Sequence, residues 1–175
     1  MELKYEDIQR LLSVEKSVDA NALQNDALVL SLDFPVQKEI RLFSAMGDVE
    51  FRWVINQSSK VSFKITLFVM EKENNLGLLR LDYVPVSKFH LNPSLGKDES
   101  LPDFLLKHAG EEIRGNHVHY AIPGYKDLSW AVPLPEVPTF PETFDGQQSS
   151  LPDIVNSFAR HINVSTQICY ETPVL

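Results

Sequence analysis

Cysteine is almost missing from this chain, with Cys169 alone among 175 residues. A single thiol excludes an intrachain disulfide and any zinc cluster built on several cysteines. Long apolar runs are missing too. No stretch reaches the roughly 18 residues that a membrane-spanning helix requires, and the opening MELKYEDIQRLL is too polar for a secretory leader. The expectation is a cytoplasmic protein without membrane contact. Basic charge is in deficit, since 16 Lys and Arg stand against 24 Asp and Glu for a formal net charge of -8. That balance opposes non-specific attachment to nucleic acid, which rests on basic charge meeting phosphate. GxGxxG, GxxxxGK[ST], GxSxG and HExxH do not occur, so the common phosphate loops, the nucleophile elbow and the helical zinc motif are excluded.

What is present is ample core material: 43% of the residues are hydrophobic and 10% aromatic, at a length that suits one domain over residues 1–175. Residues 5–15 carry Tyr5, Ile8, Leu11 and Leu12 at helical spacing, with Glu6 and Asp7 where the helix dipole favours negative charge. Together with a connector over 17–26 they form a helical N-terminal segment, residues 1–27. From residue 28 the period falls to two. Leu28, Leu30, Leu32 and Phe34 alternate, then residues 39–45; Val49, Phe51, Trp53 and Ile55; Val61, Phe63, Ile65, Leu67 and Val69; and Leu79, Leu81 and Tyr83. The connections are short and polar, which joins antiparallel neighbours into a meander, because parallel strands need crossovers of about a dozen residues.

This sheet region extends over 28–135, with an excursion at 91–116 that holds one or two helical turns framed by Ser100, Pro102 and Gly110. Strands return at 117–122 and near Trp130. Ser150 and Pro152 open a last helix over 150–163, and the tail from 165 adds a strand or stays loose. The fold class is therefore α+β: a curved antiparallel sheet of about five to seven strands with the terminal helices on one face. Residues 38–88 hold eight basic and six acidic side chains, so that segment is +2 while the rest of the chain is -10. A locally basic sheet face is compatible with that split, and so is a solvated face with no binding role.

Chemistry points to the histidines. His117 and His119 are two apart in a strand, so their side chains leave the same face with alpha carbons roughly 6 to 7 Å apart. Paired imidazoles suit general acid and base work at a phosphate, since an unperturbed pKa near 6.5 makes both protonation states accessible. Arg80 shares its strand face with Asp82, and His90 follows on the next loop. The catalytic assignment is His117 and His119 as acid and base, Arg80 steadying phosphorane charge and His90 assisting, with no cofactor. A metal site made by His90, His117 and His119 is the alternative assignment, and cross-strand hydrogen bonding of purely structural value is a third. His108 and His161 fall on expected helices as surface or packing residues.

The series Leu79-Arg80-Leu81-Asp82, His90-Leu91-Asn92-Pro93, His117-Val118-His119-Tyr120, Trp130-Ala131-Val132-Pro133-Leu134-Pro135 and a closing helix resembles an uncharacterised bacterial domain of unknown function over residues 40–164. More distantly it is similar to toxin-type ribonucleases. The resemblance implies a mobile-element or toxin–antitoxin setting, and with the histidine pair it implies a metal-independent endoribonuclease acting on RNA. The alternative is a non-catalytic acidic protein that inhibits a defence or toxin partner by charge complementarity.

Overall fold

Most of the extended segments lie side by side in the computed structural model, which describes residues 4–95 and 101–171. In chain order the elements are α1 (Tyr5–Ser13), β1 (Lys16–Val18), β2 (Ala27–Leu30), β3 (Gln37–Ser44), β4 (Glu50–Gln57), β5 (Ile65–Glu71), β6 (Leu76–Tyr83), β7 (Phe89–Leu91), α2 (Asp103–Leu106), β8 (Glu112–Arg114), β9 (His117–Tyr120), β10 (Trp130–Pro133), α3 (Leu151–His161) and β11 (Gln167–Tyr170). Among the described residues the main sheet has seven strands in the order β1-β3-β4-β5-β6-β9-β10. Every neighbouring pair is antiparallel, and the sheet does not close into a barrel. The expected α+β class is the observed one.

Strand alternation builds the core. Phe51, Trp53 and Ile55 of β4, Ile65, Leu67 and Val69 of β5, and Leu79, Leu81 and Tyr83 of β6 are buried on one face. Ile8 and Leu12 of α1 and Ile154, Val155 and Phe158 of α3 join them in one cluster. Trp53 stacks on Phe158 with ring centroids 6.1 Å apart. Burial of a side chain of this size contributes about 1.5–3 kcal/mol. Both helices thus cover the same face.

The opposite face carries Arg41, Arg52 and Arg80. Each meets a carboxylate: Arg41 with Glu50 at 2.6 Å, Arg52 with Glu39 at 3.1 Å and Arg80 with Asp82 at 2.8 Å. The arginines of that face are therefore charge-matched.

A buried ammonium joins the two ends of the fold. Lys16 Nζ donates to the carbonyls of Leu12, Val14 and Ile162 at 2.9, 2.8 and 2.9 Å and sits 4.7 Å from the Phe51 ring centroid. All three ammonium protons find acceptors at the ends of α1 and α3, where the helix dipole favours a cation. Burial pulls its pKa down to about 8.

Several expectations need correction. Residues 16–18 form an edge strand, β1, too short for a period to reveal. β2 does not enter the main sheet. It pairs in parallel with β11, Leu30 opposite Tyr170 across 140 residues of chain, a pairing that turn lengths cannot announce. Leu28 and Leu30 are nonetheless buried. The strand expected from Val61 begins at Ile65, because Ser58, Val61 and Lys64 close a loop by backbone bonds, leaving Phe63 41% exposed. Val49 and Val61 are only partly buried. Ser150 precedes α3 but donates its hydroxyl to Asp145 and Gln147 instead of capping. The proposed Ser100 cap lies outside the described residues. The excursion is more ordered in kind than its sequence suggests: β7 and β8 pair as a separate two-stranded sheet, with α2 in the chain between them.

Candidate functional site

The site forms where three neighbouring strands present polar side chains at matched register. Arg80 lies opposite His119 and Asp82 opposite His117 on the β6–β9 ladder, while Thr66 of β5 lies opposite Asp82. Alternation sends Leu79, Leu81 and Val118 to the core and these polar groups to the other face. The two histidines do share a face, with ring centroids 4.6 Å apart. They do not project into water. His119 is 0% exposed, His117 5% and Asp82 7%.

The cover is the excursion. In the β7–β8 pair, His90 stands opposite Ile113. The His90 ring packs edge-on against His119 at 4.5 Å between centroids and lies 6.2 Å from His117. Asn92 fastens this cover to the outer edge of β10. Its Oδ1 accepts from the Ala131 N–H at 2.8 Å, and its Nδ2 donates to the Ala131 carbonyl at 2.8 Å and the His108 carbonyl at 3.0 Å. The side-chain amide stands in for another strand. His108 and His161 are elsewhere: the first lies near Glu111 and Glu136, and the second packs on Phe140.

Backbone carbonyls set the orientation of each ring. His117 Nδ1 donates to the Gly115 carbonyl at 2.6 Å, His119 Nδ1 to Leu128 at 2.9 Å, and His90 Nε2 to Ser129 at 2.6 Å. A carbonyl can only accept, so those nitrogens carry the protons and the opposite nitrogens of the neutral rings carry lone pairs. Gly115 and Leu128 both have positive φ, 70° and 51°. Leu128 in that region is strained, and the strain aims its carbonyl at His119.

The lone pairs of His117 and His119 converge on one carboxylate oxygen. Asp82 Oδ2 is 3.6 Å from His117 Nε2 and 3.2 Å from His119 Nε2. Its other oxygen accepts from the Thr66 hydroxyl at 2.6 Å. Arg80 spans the group, donating from Nε to Asp82 at 2.8 Å and from Nη2 to His119 Nε2 at 2.6 Å. Burial pulls the His119 imidazole down to about 4, with Asp82 opposing and the Arg80 charge adding to it. Burial lowers His117 as well. Burial alone would raise the Asp82 carboxyl, but the His119 contact, the Arg80 charge and the Thr66 hydroxyl together hold it well below the usual carboxylate range. At neutral pH the cluster is two neutral imidazoles, one carboxylate and one guanidinium.

One potential ligand atom from each of Asp82, His117 and His119 lies within 4.8 Å of the others. The structure thus assembles Arg80, His117 and His119 as the sequence suggests and sets His90 beside them. The converging ligand set replaces His90 by Asp82. Sequence reasoning leaves Asp82 out of the site, although the two-residue alternation that exposes Arg80 on this face applies equally to Asp82.

This sheet, with its histidine strand and closing helix, matches a described family, "Family of unknown function (DUF6978)", over residues 3–164. The chain belongs to that family. The family domain begins well before residue 40, so α1 and β1 are part of it along with the motif-bearing strands. Neither the curated proteins nor the solved structures yield a match to the chain. Among the described residues no helix is long and apolar enough to cross a membrane.

Proposed function

We propose that Asp82, His117 and His119 bind a divalent metal ion, and that the protein is a metal-dependent phosphodiesterase with RNA as substrate. The observation that carries this reading is the convergence of two imidazole lone pairs and a carboxylate oxygen at 3.2 and 3.6 Å. Acceptor atoms at such spacing need a cation among them; the Arg80 guanidinium serves Asp82 and His119 but not His117, whereas a metal ion would serve all three. An ion with bonds of about 2.0–2.2 Å separates its ligands by about 3–3.5 Å. Anchoring each ligand's second atom, to Gly115, Leu128 or Thr66, is the arrangement that orients metal ligands in general.

Three protein ligands leave coordination positions for water and substrate. An ion held by Asp82, His117 and His119 would supply an activated water for hydrolysis of a phosphodiester, in which water adds to phosphorus, the ester P–O bond breaks and the departing oxygen takes up the proton that the water loses. An acid–base mechanism by the rings alone has less support, since one nitrogen of each is bonded to a backbone carbonyl and the other faces Asp82.

A groove of about 420 Å³ supports an anionic substrate. It is lined by Gln37, Asn56, Ser58, Lys60, Lys64 and Thr66, among others, without a carboxylate, and Thr66 also bonds Asp82. The mobile-element or toxin–antitoxin setting implied by the resemblance belongs to the same proposal. A second reading, partner binding without catalysis, draws on the exposed apolar side chains of Val86, Phe89 and Leu91 around β7.

The test is metal content and cleavage together. After chelation and reloading with zinc or manganese, the protein is expected to hold one equivalent and to cleave a fluorescent oligoribonucleotide. Asp82→Asn and His117→Gln are expected to lose both properties. Absence of tight metal from the wild type overturns the proposal. Cleavage that persists in chelator returns the chemistry to the acid–base mechanism, and a salt-sensitive protein complex without cleavage favours the second reading.

A further inference from the structure

The guanidinium of Arg80 sits on two of the three atoms assigned to the metal. It donates to Asp82 Oδ2 at 2.8 Å and to His119 Nε2 at 2.6 Å. The His119 nitrogen has one lone pair, and its Nδ1 is committed to the Leu128 carbonyl. A lone pair that accepts a guanidinium proton cannot bind a metal at the same time. From this occupancy, and resting on the metal reading above, we infer that Arg80 is a built-in competitor for the metal site and that loading expels it.

The surroundings allow that movement. Asp82, His117 and His119 are buried, whereas the Arg80 side chain is 35% exposed. On the ladder its neighbour is Phe68 of β5, on the charge-matched face of the sheet. Arg80 can therefore swing outward without disturbing the core. Held inward, it balances the Asp82 carboxylate while the metal is away, which keeps a buried anion from standing unpaired. Released, it lies within a side chain's reach of the ion, where its forked donors suit an oxyanion such as a phosphate group.

The competition predicts that metal affinity rises when the guanidinium is removed. Zinc affinity is measured at pH 7.5 by competition with a chromophoric chelator. Arg80→Met is expected to bind zinc about ten- to a hundredfold more tightly than the wild type, the range for losing one charged hydrogen bond. Arg80→Lys keeps the charge but lacks the fork that spans both ligands, and it is expected to fall between the two. In the wild type, the nitrogen-15 NMR signal of the Arg80 side chain is expected to shift and lose exchange protection as one equivalent of zinc is added, a readout that needs no variant.

Equal affinity of wild type and Arg80→Met, or an unmoved Arg80 signal on a zinc-loaded protein, overturns the competition while leaving the metal site intact. Failure of all three proteins to bind zinc overturns the metal site itself and the competition with it.

Discussion

The side-chain amide of Asn92 completes the backbone pairing of Ala131, accepting from its N–H and donating to its carbonyl, each at 2.8 Å. One residue of an irregular segment thereby closes the free edge of β10 and holds the β7–β8 pair over the histidines. Edge strands otherwise expose unpaired backbone groups, and a buried unpaired group is costly. Replacing Asn92 by Ala is expected to cost about 2–3 kcal/mol, read from urea unfolding. Asn92→Asp is expected to cost a similar amount, because a carboxylate cannot donate to either carbonyl.

His90 tests the cover separately from the core. It holds β7 to the Ser129 carbonyl and packs on His119. In His90→Ala, amide exchange is expected to quicken in β7 and β8 while β4, β5 and α3 keep their protection, since local opening draws on few contacts. Uniform loss of protection would show that the excursion folds as one unit with the sheet.

Gly115 combines a φ of 70° with a carbonyl that accepts from His117. An added Cβ meets Val86 only at ordinary contact distance, so the effect of Gly115→Ala comes from backbone strain. The expected loss is about 1–2 kcal/mol in thermal or urea unfolding. Metal affinity is expected to fall with it, as the His117 ring loses its fixed orientation.

Lys16→Met removes a cation and leaves the carbonyls of Leu12, Val14 and Ile162 without their donor. A loss of about 2 kcal/mol is expected at pH 7, because orphaned buried carbonyls outweigh the relief of a desolvated charge.

The same lysine gives a pH signature. Its pKa is about 8 in the folded chain against the ordinary lysine value of 10.5, so between those values the unfolded chain binds the extra proton. Stability contributed by this group rises with pH through that window. Wild type is expected to gain on Lys16→Met from pH 8 to 10 in parallel thermal melts. Above pH 10 both are expected to lose stability, because burial raises the phenols of Tyr83, Tyr120 and Tyr170 and the unfolded chain then releases its protons first.

Much of the fold is legible in one dimension. Trp53, Ile65, Leu67, Leu79 and Leu81 alternate at period two, and the buried face follows from that alone. The same period places Arg80 with Asp82 and His117 with His119. Pairing over long separations leaves no such trace: β2 with β11, Lys16 with Ile162, and Asn92 with Ala131 join residues whose sequence neighbours say nothing of each other.

Residue order by itself determined the α+β class, the antiparallel run from β3 to β6 and the shared face of the two histidines, because these depend on local alternation and short connections. Only the tertiary structure decided that the histidines are covered, that one Asp82 oxygen faces both of them and that Arg80 occupies the His119 lone pair. Those facts depend on ladder register and on a distant segment folding over the sheet, where burial and proton placement are set by atoms far away along the chain.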